Sequence, residues 1–469
     1  MIQTKQQRFT ESINEAIGQR AHEDTPQLFS YTEKIAGVDQ ISPIAVFQNT
    51  QSFKGSRIFW TSPEDEVTLI GLGSVYSFNG TEDTNSNRFK QVHSNWKKML
   101  NSIYVDNPYK HPGTGPVFMG GFSFNPEESS QLWRNYSNTQ MTLPEYLITI
   151  DKNEAFLTYH VWLDKELDIE DSSCAFVKML ETIKRETKHA HNPLAIMNQQ
   201  AINADEWKRT VKKATGTIEN NVMEKVVLAR ELRVSFNRNI PVSYVLENLL
   251  EQQKQSYIFA IESEDDCFIG ATPERLVKVE NRHLLSTCLA GTSPRGKTLK
   301  EDERLGKQLL DDDKNRMEHA FVVDMIKQAV EACSVKVQVP ESPVLYKLRN
   351  LQHLYTPVQG VLKEGHSILE VVRRLHPTPA MGGVPRDKAL TFIQQEENLS
   401  RGWYSAPIGW MDAMDNGEFA VAIRSGLIQG DEASLFAGCG IVRDSDAEKE
   451  FQETEIKFLP MLMALGGLQ

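Results

Sequence analysis

The sequence predicts an α+β fold rather than a regular parallel α/β sheet, on three observations. Strand-like segments crowd the N-terminal half as hairpin-like runs: SRIFW at 56–60, EVTLIGLGSVYSF at 66–78 and GPVFMGGFSFNP at 115–126. Helical periodicity is confined to separate stretches further along. The chain is 40% hydrophobic, 9% aromatic and 24% charged, the make-up of a globular protein with a substantial core.

The N-terminal strands rest on apolar/polar alternation bounded by turn residues. Gly71 and Gly73 invite a dinucleotide-binding reading, but Tyr76 stands where a third glycine is required, so the pattern fails. Residues 185–203 are polar, contain a proline and lack periodicity, which predicts a linker. A helix follows. Asn203 and Glu206 have capping-box spacing, and Trp207, Val211, Ala214 and Ile218 recur at helical intervals. EKVVLAREL (224–232) then switches to strand composition, with Lys225, Val227 and Ala229 on one face. A second helix is expected over much of 301–333, a Pro/Gly-rich loop over 375–386, an alternating strand over 419–428 and a final helix from Asp446.

A length of 469 residues suggests about three domains, or one large unit. The formal charge of −12 argues against nonspecific attraction to nucleic acid or an anionic membrane. The five cysteines, Cys174, Cys267, Cys288, Cys333 and Cys439, are odd in number and include no CxxC pair. That argues against both a disulfide framework and a structural zinc site. The N-terminal residues carry no apolar signal core, and no apolar run approaches the ~20 residues of a membrane helix. A soluble, cytoplasmic protein is expected.

Several polar residues stand where chemistry could be done. Lys225 shares its strand face with small apolar neighbours. An isolated strand-end lysine usually snorkels to water, whereas a lysine base needs burial or a nearby cation to lose its proton. Glu274, in GATPERLV, is offered by a turn; solvated it would be an ordinary carboxylate, but buried it would stay protonated and could donate a proton. Glu318, with Lys314 one turn earlier, and the trio Glu450, Glu453 and Lys457 each lie on one helical face. Such patterns are often salt-bridged surface. Their alternative is a Mg²⁺ site, which needs only one or two carboxylates beside waters and substrate oxygens. Arg424 interrupts the apolar alternation of VAIRSG and calls for an anion, either an internal carboxylate or that of a ligand. Tyr404 in RGWYSAPIGW could donate to the same group.

The order of these segments carries more than any one of them. KVVLAR, GATPERLV, STCLAGTSPRG, DKNRMEHAFVVDMI, LQHLYTPVQG, LHPTPAMGGVPRDKAL, RGWYSAPIGW, AIRSG, AGCGIV and EKEFQETEIK together resemble the chorismate-utilising enzymes. GPVFMGGFSFNP looks like their isochorismate synthase branch, as does Lys225, where anthranilate synthases carry glutamine. Aminodeoxychorismate synthases use a nucleophilic lysine in a PIKGT-like motif; the matching CLAGT here has Ala290. Salicylate synthases commonly have threonine where this chain has Ala380, which favours stopping at isochorismate.

The resemblance implies one α+β unit of large antiparallel sheets flanked by helices. Residues 1–200 would form its strand-rich N-terminal part and 201–469 its chorismate-binding part. It also implies site roles. Lys225 is similar to the base that activates water, and Glu274 to the acid that protonates the departing hydroxyl. Glu318 and Glu453 resemble Mg²⁺ ligands, with Glu450 near the metal. Arg424 and Tyr404 match the residues that hold the enolpyruvyl carboxylate. Gly291, Thr292, His353, Ala380 and Lys457 would line the pocket. Asn315 stands where some salicylate synthases have glutamate. Chorismate and isochorismate are the implied ligands, Mg²⁺ the cofactor and menaquinone biosynthesis the pathway. No glutaminase subunit is expected, and the state would be a monomer or weak dimer. A siderophore-pathway or salicylate synthase is the alternative, and a non-catalytic chorismate-binding paralogue has no use for both Lys225 and Glu274.

Overall fold

The computed structural model describes residues 2–19, 26–35, 37, 41–63, 66–80, 87–128, 130–187, 194–347 and 351–467. Two sheets dominate. The first has thirteen strands, ordered Ile196–Ala201, Lys225–Phe236, Glu432–Ile441, Ser425–Gln429, Asp266–Thr272, Tyr257–Ser263, Arg57–Thr61, Val67–Leu72, Tyr146–Asp151, Glu154–Leu163, Gln27–Ile35 and Ile103–Asp106, with the short Gly383–Val384 beside Lys225. The second has ten: Ser334–Gln338, Leu351–Leu362, His283–Pro294, Arg275–Glu280, Gly417–Val421, Pro407–Asp412, Val117–Phe122, Thr139–Leu143 and Tyr76–Gly80, with Val344–Lys347 beside Leu351–Leu362. Among these strands, the pairing of Gln27–Ile35 with Ile103–Asp106 is parallel and the rest are antiparallel.

Strand alternation explains how the sheets stack. Trp60, Leu69, Tyr257, Phe259 and Phe268 from the first sheet meet Val117, Met119, Ile408 and Trp410 from the second in one buried cluster. The opposite face of the first sheet packs Phe59, Ile70, Ile148 and Ile269 against helices that include Val242–Gln252 and Ala447–Ala464. The second sheet is covered by helices that include Asp313–Cys333 and Ile368–Leu375. The result is helices, sheet, sheet, helices. No helix among the described residues is long and apolar enough to cross a membrane, and all five cysteines are free.

Several local expectations are corrected. The 185–203 stretch is not all linker, because Ile196–Ala201 is an edge strand on Lys225–Phe236. Residues 197–200 are exposed there, which explains their polar composition; residues 188–193 lie outside the described set. The helix after it, Ala204–Glu219, buries Trp207, Val211, Ala214 and Ile218 as expected. Asn203, however, makes no side-chain cap: its backbone is left-handed (φ 50°), not the extended form from which an N-cap accepts N–H bonds. The helix expected over 301–333 is two, Leu299–Asp311 and Asp313–Cys333, because extended Asp312 caps the second through the Asn315 N–H. The run 66–78 divides at left-handed Gly73 into one strand in each sheet. The 419–428 run divides likewise around Arg424, with consequences for the site. The last helix begins as expected, the Asp446 carboxylate accepting from the Glu448 and Lys449 N–H groups.

Candidate active site

The chain crosses between the sheets at two neighbouring places, and each crossing carries a charged residue. Glu274 follows Asp266–Thr272 of the first sheet and precedes Arg275–Glu280 of the second. Arg424, with left-handed φ of 52°, lies between Gly417–Val421 of the second sheet and Ser425–Gln429 of the first. The crossings are stitched together. Val421 N–H donates to Glu274 O at 3.0 Å, Ala271 N–H to Arg424 O at 3.1 Å, and Thr272 Oγ1 to Val421 O at 2.6 Å. Two side chains that the sequence separates by 150 positions are thereby fixed side by side on a rigid frame.

The electrostatics follow from that placement. Glu274 keeps some accessible surface, yet protein crowds it closely. Burial pushes its carboxyl up from the usual 4.5 to about 7, with Arg424 and then Lys225 pulling the other way. The carboxyl is poised between acid and carboxylate near neutrality. Arg424 has its guanidinium weakened by burial and supported electrostatically by Tyr404, Glu274 and Glu453. Among the described residues it forms no ion pair and no side-chain hydrogen bond, so the internal-salt-bridge alternative does not hold. Tyr404 is buried beside Phe436, and burial raises its phenol.

Lys225 opens the strand Lys225–Phe236 and pairs with Val384. Its aliphatic stem crosses Gly440, where a Cβ would stand 2.7 Å from Lys225 Cε. Its Nζ donates to Glu318 Oε1 at 2.6 Å, and only 19% of the lysine side chain is exposed against 44% of the glutamate's. The snorkelling alternative therefore gives way to a covered lysine turned onto a carboxylate. Glu453 likewise pairs with Lys457 at 2.7 Å, and Lys457 also donates to Gly438 O at 2.7 Å. Glu450 accepts from Ser445 Oγ at 2.7 Å.

The remaining expected residues gather nearby. A bulge at Ala290/Thr292 puts Gly291 in the left-handed region (φ 78°), with Asn315 Oδ1 3.2 Å from where a Cβ would sit. Asn315 itself donates its side-chain amide to Asp312 Oδ1 at 2.9 Å. Thr292 Oγ1 and His353 Nδ1 are 3.0 Å apart, and burial followed by Arg424 lowers His353 to about 4, so it is neutral at pH 7. Ala380 is half-buried in the loop after His376–Pro377. That loop is sewn onto the start of the lysine strand by Glu224 N–H to Val384 O (2.7 Å) and Val227 N–H to Gly382 O (2.9 Å).

One pair escaped sequence reasoning. Glu397 and Arg401 are ion-paired at 2.6 Å with side chains 2% exposed each. Arg401 donates to Met381 O and Val227 O, while Glu397 accepts the Ala229 N–H. This pair locks the Ala380 loop to the strand that carries Lys225. Its signal was a fixed charge beside the aromatic run of RGWYSAPIGW, a setting in which an arginine must be paired.

The donor chemistry of Glu318, Glu453 and Glu450 fits a hard cation. All are carboxylate oxygens from two helices, and the exposed Glu318 and Glu453 are each paired with one lysine, Lys225 and Lys457. They are not drawn together as a closed three-ligand cage. Two cavities open elsewhere, of about 30 and 370 Å³, and neither is lined by Lys225, Glu274 or Arg424. The site is marked by its charge arrangement.

Comparison with known proteins gives this arrangement a context. The family model for chorismate binding enzymes matches residues 11–466. The chain is 42% identical to the isochorismate synthase MenF of Bacillus subtilis, covering 100% of this chain and 99% of that one. It is 33% identical to the salicylate biosynthesis isochorismate synthase of Pseudomonas aeruginosa, over 97% and 94% of the two chains. In fold it is similar to the menaquinone-specific isochorismate synthase MenF of Escherichia coli, with a TM-score of 0.80 at 23% identity over 98% and 99% of the chains. A match spanning both sheets and every segment that supplies a charged residue to the two crossings leaves one assignment: the chain belongs to the chorismate-binding enzymes.

Proposed function

We propose that the protein is an isochorismate synthase, interconverting chorismate and isochorismate by adding water at C2 and expelling the C4 hydroxyl. The observation that carries this reading is Glu274, a carboxyl held near neutrality within electrostatic reach of both Lys225 and Arg424. End-to-end similarity to an isochorismate synthase at 42% identity supports it.

In this reading Lys225 takes a proton from the incoming water, and Glu274 gives one to the departing hydroxyl. One water enters and one leaves, so the reaction is reversible and consumes no co-substrate. Arg424 and Tyr404 hold the enolpyruvyl carboxylate, the guanidinium making no ion pair with a protein carboxylate among the described residues. Gly291, Thr292 and neutral His353 border the ring, and Lys457 steadies Glu453. Glu318 and Glu453, with Glu450 behind, would hold Mg²⁺, which supplies positive charge for the substrate's ring carboxylate. Placement in menaquinone biosynthesis rests on the 42% identity to MenF of Bacillus subtilis, against 33% to the salicylate-pathway synthase. Incubation with chorismate and Mg²⁺, with products separated by chromatography, tests the proposal. Isochorismate is expected, and its absence with folded protein would overturn the reading.

Two further outcomes are expected here. Chelation should abolish activity and Mg²⁺ restore it, with Glu318→Gln and Glu453→Gln each raising the Mg²⁺ requirement far more than Lys314→Ala. Equal, mild effects in a metal titration would mark these carboxylates as surface salt bridges. At position 380, salicylate formation needs the enolpyruvyl group turned so that a ring hydrogen transfers as pyruvate leaves, a demand sensitive to shifts of about 1 Å. Alanine leaves the side chain an unreactive pose, whereas threonine adds bulk beside it. The natural chain should release little pyruvate in a lactate dehydrogenase-coupled assay, and Ala380→Thr should release measurably more. No rise would remove Ala380 as the reason the reaction stops.

A further inference from the structure

At the end of helix Asp313–Cys333 far from Glu318, three side chains from two chain segments converge. Cys333 is the last residue of that helix and fully buried. His366 precedes helix Ile368–Leu375, and Glu370 lies in its first turn. One donor atom from each, a sulfur, a ring nitrogen and a carboxylate oxygen, lies within 4.8 Å of the other two. The backbone brings them together firmly: Lys363 N–H donates to Cys333 O at 2.8 Å, and Lys363 Nζ reaches Ala332 O at 2.9 Å. His366 and Glu370 keep 28% and 29% of their side-chain surface, so solvent reaches one side of the group.

The local hydrogen bonding is unusual. Ser367 and Glu370 have capping-box spacing, yet Ser367 makes no side-chain cap. The glutamate instead divides its oxygens. Oε1 faces Arg374 at 3.2 Å and Arg373 at 4.0 Å, while Oε2 lies 2.8 Å from His366 Nδ1. That last contact is out of hydrogen-bond alignment, which leaves a buried ring nitrogen without a hydrogen-bond partner. An unsatisfied imidazole nitrogen, a carboxylate oxygen turned from its arginines and a thiol thus share one space.

We propose that Cys333, His366 and Glu370 form a binding site for Zn²⁺ or a divalent ion of similar softness, with three protein donors and a solvent-facing fourth position. Mixed sulfur, nitrogen and oxygen donors suit zinc, whereas Mg²⁺ takes oxygen alone. Binding converts the Cys333 thiol to thiolate and releases its proton to solvent. Burial and then Glu370 push the Cys333 thiol up, against Arg374 and Lys363, so the proton must be displaced by the ion itself; those positive charges also oppose the cation, and binding is weaker than at a structural zinc centre. The ion would tie the helix that bears Glu318 to the next helix, without adding a donor to the reaction centre.

The test uses the full chain in excess Mg²⁺, titrated with Co²⁺. A near-ultraviolet thiolate-to-cobalt charge-transfer band should appear and saturate at one equivalent. It should vanish on adding Zn²⁺ and in Cys333→Ala, and persist in Glu318→Gln. His366→Gln, at a part-exposed position that leaves the core intact, should weaken Co²⁺ binding at least ~10-fold. No band from folded protein, or a band unchanged by His366→Gln, overturns the proposal.

Discussion

Lys225→Gln is expected to lower isochorismate formation at least ~10²-fold, the usual contribution of a general base. Glutamine is one atom shorter than lysine and adds no bulk beside Gly440, so the strand pairing of residue 225 with Val384 and of Val226 with Ile441 should persist. Circular dichroism and chorismate binding should be close to those of the natural chain. The loss should therefore fall on turnover, with little change in the concentration for half-saturation. Near-normal isochorismate formation by Lys225→Gln would remove the lysine as the base.

The second large effect belongs to Glu274. Its carboxyl titrates near 7, so the protonated form that can donate to a leaving hydroxyl is present below that pH and lost above it. Activity should fall as pH climbs through about 7. Glu274→Gln should cost at least ~10²-fold in turnover and erase that limb from what remains. Stability carries an independent sign. The folded carboxyl holds its proton up to about 7 and the unfolded one only to about 4.5, so the folded state binds more protons in between. The natural chain should lose thermal stability relative to Glu274→Gln as pH rises across that window. An activity profile flat through pH 7 would separate Glu274 from the proton transfer.

The order of motifs made Lys225, Glu274 and Arg424 legible as a set, because each sits in a short segment whose neighbours are themselves distinctive. Their setting was not legible. FAVAIRSGLI alternates like one strand, and the left-handed break at Arg424 is tied down by Ala271, Thr272 and Glu274, about 150 residues earlier in the chain, through hydrogen bonds that no local pattern shows. The polar edge strand Ile196–Ala201 reads as linker because its identity lies in its partner, Lys225–Phe236, and not in its own composition. The buried Glu397–Arg401 pair was passed over for the reverse reason. Its spacing is that of an ordinary surface ion pair, and only tertiary packing removes it from water.

The interleaving of the two sheets bears on how the chain is made. Arg57–Thr61 finds its second neighbour in Tyr257–Ser263, and Val117–Phe122 finds its own in Pro407–Asp412. Both early strands are wholly buried in the finished protein. On the ribosome the second of them waits for a partner roughly 300 residues downstream, on the order of 15–60 s at usual synthesis rates. Through that interval the nascent chain presents two apolar strand borders open to pairing with other chains. Expression yield is then expected to depend on whatever shields those borders until Pro407–Asp412 emerges.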